Sequence, residues 1–224
     1  MIAGPNGSGK STLTDQMKAA GYDFGRYVNP DETSKAMREA DPSRSQAETD
    51  AEAQKRAVEE RYALLAQRRS LSYETVFSHE SHVGFMQEAK AAGYEVRLIF
   101  VGTSGPQVNV DRVALRVADG GHAVPEDKVR SRYARSVANL QEGLRVADYA
   151  SVLDSAERPP ILVAEKTEGR LQIETERRWF EERVRAPMRA DGRLTERSDG
   201  TDAVSPPLTR AAAKRIQKRP HHNS

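Results

Sequence analysis

The sequence predicts an α/β fold in which a mostly parallel sheet is flanked by helices. Three observations carry that reading. Helix-type and strand-type apolar patterns alternate along most of the 224 residues, as they do where strands are joined by crossover helices. Gly4-Pro5-Asn6-Gly7-Ser8-Gly9-Lys10-Ser11 fits the spacing G-x-x-x-x-G-K-[ST] without a gap, and such a loop belongs between a strand and a helix. The run Leu98-Ile99-Phe100-Val101 is the clearest buried strand.

The elements follow in order. Met1, Ile2 and Ala3 form a stub of strand before the loop. A helix opens at Thr12, with Leu13, Met17 and Ala20 at helical spacing and Gly21 at its C-terminal stop. Asp23 to Val28 forms a second strand beside the first, ending at Asn29-Pro30-Asp31. Thr33 to Ala40 is helical, and Asp41-Pro42 breaks it. Ser43 to Arg69 is a long charged helix with Ala57, Tyr62, Leu64 and Leu65 as its apolar face. Ser70 to Phe77 is a third strand and His82 to Ala92 a helix stopped by Gly93. The clearest strand spans Tyr94 to Val101. Helices over Val108 to Ala118 and Pro125 to Val146 surround a Gly120-Gly121-His122 break, and Tyr149 to Leu153 is the last parallel strand. Ile161–Ala164 and Leu171–Ile173 flank Thr167-Glu168-Gly169-Arg170 as an edge hairpin. Glu174 to Val184 closes the domain as a helix anchored by Trp179 and Phe180. The domain thus spans 1–186, and 187–224 is a polar, basic tail expected to be disordered.

Composition narrows the function classes. The chain is 37% hydrophobic and 30% charged, which is polar for a compact protein and points to a tail or long exposed helices. It has no cysteine, which excludes disulfides and thiolate metal sites and fits a reducing cytoplasm. No apolar stretch reaches the roughly 18 residues of a membrane span, and no secretory pattern is present. A net charge of +2 is too balanced to argue for nucleic acid. Only the segment from Ala203, with Arg210, Lys214, Arg215, Lys218 and Arg219, offers an arm for an anionic partner; His221 and His222 read as tail residues.

The phosphate-binding loop carries the strongest chemistry. Its chance occurrence in a chain of this length is on the order of one per cent. The glycines let several backbone N–H groups converge on one small space. Lys10 supplies a charge for the β- and γ-phosphates of ATP or GTP, and the Ser11 hydroxyl is placed to ligate Mg²⁺. Thr12 opens a helix whose N-terminus faces the same phosphates. Gly4, Pro5, Asn6, Gly7, Ser8, Gly9, Lys10, Ser11 and Thr12 are therefore the expected nucleotide-binding residues. Only three residues precede Gly4, whereas strands usually run to five or six. A start upstream of Met1 or a degenerate nucleotide domain would each account for this.

Ligands of open α/β sheets lie at the C-terminal ends of strands. Asp31, Glu74 and Asp154 fall at such ends. Asp31 is either a general base taking a proton from an attacking hydroxyl or an N-cap of the helix that follows. Glu74, followed by Thr75, either orients substrate hydroxyls, holds Mg²⁺ through water, or pairs an arginine. The segment Asp111–Pro125 reads as a lid: Arg112 and Arg116 share a helix face, two glycines follow, and Arg130, Arg132 and Arg135 lie on the next helix. Guanidinium groups suit phosphate oxygens, although any one arginine is as well explained by a solvated helix face.

Taken in order, the P-loop, Asn29-Pro30-Asp31-Glu32, Tyr73-Glu74-Thr75-Val76-Phe77-Ser78, Arg112-Val113, Arg116-Val117, Gly120-Gly121-His122, Val124-Pro125, Arg132-Tyr133, Arg135-Ser136, Asn139-Leu140 and Asp154-Ser155 resemble the zeta-toxin family of P-loop kinases, and its short branch in particular. The resemblance covers roughly residues 1–165. It implies a P-loop NTPase/kinase-like fold and ATP- or GTP-dependent phosphorylation of a sugar hydroxyl. UDP-N-acetylglucosamine is the best-known substrate, and an antitoxin protein the partner. It implies Asp31 as base and Lys10 as phosphate-binding lysine, with Arg116 and Arg132 clamping phosphates. Glu74, Thr75, Arg112 and His122 become substrate contacts. His122 stands where the long branch has an arginine, and Asp154-Ser155-Ala156 replaces Asp-Asn-Ser. The competing readings are a nucleotide-binding switch without chemistry, motivated by the stunted strand and His122, and a kinase of another small metabolite.

Overall fold

The computed structural model describes residues 1–192. The basic segment from Ala203, with His221 and His222, lies outside them. A seven-stranded sheet runs in the order β2-β3-β1-β4-β5-β6-β7. Its strands are β1 (Ile2–Ala3), β2 (Arg26–Val28), β3 (Leu71–Thr75), β4 (Arg97–Gly102), β5 (Tyr149–Asp154), β6 (Ile161–Thr167) and β7 (Arg170–Ile173). The first five are parallel, and β6 and β7 add an antiparallel edge.

The P-loop strand is as short as expected but sits in mid-sheet. Ile2 pairs with Glu74 on one side and Ile99 on the other, and Ala3 pairs with Thr75 and Phe100. Both residues are buried. Neighbours on each side satisfy its backbone, so two residues suffice where an edge strand of that length would fray.

The order departs from expectation in one respect that matters for the site. β3, not β2, is the neighbour of β1. The cause is the register of β2, whose Arg26, Tyr27 and Val28 pair with Leu71, Ser72 and Tyr73 on the outer side of β3. Glu74 is thereby brought next to the P-loop, and the chain after β2 is one strand further out.

Helices cover both faces. On one, α1 (Lys10–Ala19) packs Leu13 and Met17 against Val101 and Leu153. On the other, α4 (Ser81–Ala91) and α6 (Glu126–Val146) enclose the main core with Phe77, Leu98, Phe100, Tyr133 and Leu140. α2 (Pro30–Ala40) and α3 (Gln46–Ala66) form a pair beyond β2. α3 begins at a capping box, with Ser45 and Glu48 satisfying each other's backbone N–H groups, rather than at Ser43. It contributes Ala57 and Leu64 to a second cluster with Val28, Tyr73 and Phe85. Tyr62, expected on its apolar face, is exposed. α5 (Pro106–Ala118) precedes α6.

The C-terminal helix starts later and ends later than the apolar pattern suggests. It spans Arg178–Phe180, a π-helical turn Glu181–Arg185 and Ala186–Ala190. Met188 is buried in the main core with Trp179, Phe180 and Val184, so the folded unit continues past residue 186. Among the described residues, no helix is long and apolar enough to cross a membrane.

Candidate active site

The P-loop connects β1 to α1. Its glycines serve different purposes. At Gly4 the backbone is left-handed (φ +146°), and a Cβ would stand 2.2 Å from the Val101 carbonyl oxygen. Gly7 combines φ +73° with a Cβ position 2.7 Å from the Asn109 carbonyl oxygen. Neither position tolerates a side chain without moving the backbone of β4 or α5.

Two buried side chains outside the motif hold this loop, and an arginine holds one of them. Asn109 on α5 donates from Nδ2 to the Asn6 carbonyl at 2.5 Å, and its Oδ1 accepts from the Thr103 hydroxyl. Ser155, just past β5, donates to the Ser8 carbonyl at 2.7 Å. Arg112 reaches Ser155 from α5, with Nη2 2.6 Å from its carbonyl oxygen and Nη1 3.1 Å from its hydroxyl. Arg112 is thus a brace behind the P-loop. It is separate from the cavity that the expected substrate role would require.

Above the loop opens a cavity of about 500 Å³. Asn6, Gly7, Gly9, Lys10, Ser11 and Thr12 line one side, with Arg116 and Arg132. Asp31, Glu74 and Thr75 line it as well. Gly4, Pro5 and Ser8 are buried in the loop beneath. Lys10 donates to the Pro5 carbonyl at 3.1 Å. Burial lowers its pKa to about 8, against the raising influence of Glu74 and Asp31 and with a further lowering from Arg116. Arg132 lies 3.5 Å from the Asn6 side-chain oxygen.

Glu74, next to last in the strand beside the P-loop, accepts from Ser11 (3.0 Å), Thr14 (2.6 Å) and Tyr27 (2.9 Å). It pairs with hydroxyls, not with an arginine. Burial first, and Glu74 second, push the Tyr27 phenol far above its usual range, keeping it a donor. The Ser11 hydroxyl beside a carboxylate is a hard-oxygen pair suited to Mg²⁺ and its waters. Among the described residues no group of three His, Cys, Asp or Glu forms a protein-only metal site.

Asp31 is not the helix cap. Asn29 caps α2, its Oδ1 accepting from the Asp31 N–H at 3.0 Å, which leaves the Asp31 carboxylate free to face the cavity. A polar cluster fixes α2 to α3. Arg38 donates to Ser34 at 2.8 Å and lies 3.3 Å from Asp50, whose carboxylate accepts from Ser34 at 2.5 Å. Asp154, the third strand-end acid, is buried and accepts from Trp179 Nε1 at 3.0 Å. It anchors the C-terminal helix.

The expected lid folds onto itself. Arg116 donates from Nη2 to the His122 carbonyl at 2.6 Å, and the His122 ring contacts Gln46 at the start of α3. His122 itself does not line the cavity. Arg130 is paired with Glu126 and Gln107.

The far wall holds residues that motif reading passed over: Gln54, Ala57 and Arg61 from α3, Tyr73 from β3, and His82 from α4. Phe77, fully buried at φ +61°, turns the chain after β3. Thr75 Oγ1 accepts its N–H and Asn139 donates to its carbonyl. The turn delivers His82, whose Nε2 is 2.8 Å from Thr75 Oγ1. Burial, then the nearby charges of Arg61 and His79, lower the His82 pKa to about 4, so it is neutral at pH 7. The available signal for this wall was the helical period of α3, which sets Gln54, Ala57 and Arg61 on one stripe.

Residues 1–141 match the AAA domain family, more than half of the chain. The chain belongs to the AAA domain family. Beyond it, this AAA domain is 29% identical over 130 residues to an uncharacterized protein of Haemophilus influenzae, covering 58% of this chain and 88% of that one. Its fold is similar to a complex of AvrRxo1-ORF1 and AvrRxo1-ORF2 determined with ATP, with a TM-score of 0.62 at 17% identity. That match covers 90% of this chain but only 64% of the longer one. It is also similar to a structure from the PezAT chromosomal toxin–antitoxin system of Streptococcus pneumoniae, with a TM-score of 0.55 at 17% identity over 73% of this chain and 69% of that one. At such identities the likeness is one of fold. It is the fold that the family resemblance in the sequence implies.

Proposed function

We propose that the protein is a small-molecule kinase that transfers the γ-phosphoryl group of ATP or GTP to a hydroxyl of a nucleotide sugar. It acts as a zeta-type toxin with an antitoxin protein as partner. The observation that carries this reading is a single one: Asp31 and Lys10 line the same cavity, with Asp31 released from capping by Asn29.

In the reaction, the P-loop N–H groups and Lys10 hold the β- and γ-phosphates. Asp31 accepts the proton of the attacking hydroxyl. That oxygen forms a bond to the γ-phosphorus as the bond to the β-bridging oxygen breaks, and ADP leaves with the electron pair. The proton passes from Asp31 to solvent after release. Arg116 and Arg132 neutralise charge on the transferring group. Ser11, with Glu74 acting through water, would hold Mg²⁺, which when bound offsets the phosphate charge. Thr75 orients the acceptor.

Support comes from the similar structure determined with ATP and the similar structure from a toxin–antitoxin system. The short β1 favours no degenerate alternative, because it is paired on both sides. The test is mass analysis after incubation with ATP, Mg²⁺ and a panel of UDP-sugars including UDP-N-acetylglucosamine. A product one phosphoryl group heavier is expected. Folded, ATP-binding protein that modifies none of them would rule out the substrate class.

A further inference from the structure

The cavity lining also contains two hydrogen-bond donors that make no well-formed hydrogen bond. They are Arg61 Nε and the Tyr73 hydroxyl, both buried. Tyr73 is only 4% exposed. The Arg61 guanidinium lies 4.2 Å from the Tyr73 ring centroid and 5.4 Å from that of Phe85. Stacking accounts for where the plane of the guanidinium lies, but it satisfies no N–H group. Among the described residues Arg61 has no ion pair, whereas Arg26, Arg38, Arg97 and Arg130 each have an acidic partner.

Arg61 reaches the Tyr73 hydroxyl oxygen, but neither Arg61 Nε nor the Tyr73 hydroxyl makes a well-formed hydrogen bond. His82 is shared with Thr75. Glu74 is engaged by Ser11, Thr14 and Tyr27 toward the P-loop. Tyr73 keeps its proton, since burial raises its pKa to about 12. A buried guanidinium N–H and a buried phenol without well-formed hydrogen bonds cost stability. Both border the cavity that Asp31 also lines.

We infer that Arg61 and Tyr73 form an oxyanion subsite of the acceptor: the molecule whose hydroxyl meets Asp31 carries a phosphoryl or carboxylate group that these two donors bind. The inference rests on the kinase reading for the word acceptor, but not for the binding itself. A guanidinium fork with an adjacent phenol matches either oxyanion and bonds it more strongly than it bonds a neutral sugar hydroxyl.

The test reads binding rather than turnover. Protein labelled with nitrogen-15 arginine and saturated with Mg²⁺ and a non-hydrolysable ATP analogue is titrated with N-acetylglucosamine, its 1-phosphate and glucuronic acid. The nucleotide keeps the P-loop from serving as a second anion site. An anionic probe should move the Arg61 Nε resonance and bind at least about tenfold more tightly than the neutral sugar. The tighter of the two anions identifies the oxyanion. Arg61→Lys should lose that preference. Tyr73→Phe, the milder change, should reduce it about threefold, with thermal unfolding confirming that each variant is folded. Equal affinity for neutral and anionic probes, or a preference intact in both variants, would overturn the subsite. Selective binding with no phosphoryl transfer to any acceptor would sink the kinase reading and leave the subsite standing.

Discussion

On the P-loop side of the cavity, the carbonyls of Asn6 and Ser8 are held by Asn109 and Ser155, and Ser155 is in turn held by Arg112. On the far side, Arg61 stacks on Tyr73, yet Arg61 Nε and the Tyr73 hydroxyl make no well-formed hydrogen bond. The first region is braced from behind so that its N–H groups stay aimed at one kind of ligand. The second presents donors whose partner has to come from outside. The two sides are therefore specified separately. On the proposed reading, one would cradle the triphosphate and the other would select the acceptor.

The comparison can be broken most severely at Lys10. Lys10→Ala removes the charge meeting the γ-phosphate and should lower turnover by about 10²–10³-fold, with weaker ATP binding in calorimetry. Binding of an anionic probe at Arg61 should not change. Loss of both would mean that the halves are one site.

His82 supports the far wall, and its effect on stability is pH-dependent. Its pKa is about 4 in the folded protein against an ordinary 6.5. Between those values the unfolded chain binds a proton that the folded one refuses. Stability is therefore present above pH 6.5 and falls as pH drops toward 4, by on the order of 3 kcal/mol. Denaturant unfolding at pH 7 and pH 4.5 should show a smaller loss for His82→Gln than for the wild type. An identical loss would mean that His82 titrates normally.

A smaller effect is expected behind the P-loop. Asn109→Ala leaves the Asn6 carbonyl and Thr103 hydroxyl without their buried partner and should cost about 1–3 kcal/mol. It should also weaken ATP binding while leaving anionic probes unaffected. Unchanged ATP affinity would show that the brace is dispensable.

The gentlest probe is pH itself. Lys10 titrates near 8, and triphosphate binding favours its charged form. ATP affinity should therefore decline as pH rises through about 8, with proton uptake on binding near that pH, measurable in buffers of different ionisation enthalpy. Affinity that stays flat through pH 9 would place the Lys10 pKa higher.

The donor side was legible in the sequence because its chemistry is contiguous: eight residues in a row dictate a glycine turn, a lysine and a hydroxyl. Most elements were also legible, since alternation of apolar periods is local. Strand order was not. Whether β2 or β3 lies beside β1 depends on pairing across more than 40 residues, and Glu74 became a partner of Ser11 only through that order. Asp31 was readable as an acid at a strand end, but its release from capping depends on Asn29. Arg112 looked like one more phosphate-seeking arginine, and only its bond to Ser155 reveals it as a brace. Arg61 and Tyr73 lie on separate elements without a motif, and their shared lack of well-formed hydrogen bonds is a property of the packed structure alone.

The proposed transfer depends most on Asp31 acting as a base in the cavity that the P-loop also lines. The most direct measurement compares wild type and Asp31→Asn for phosphoryl transfer to the preferred acceptor and for ATP affinity in the same preparation. Transfer should fall by about 10²–10⁴-fold with ATP affinity near wild type. Transfer that survives the substitution would contradict it.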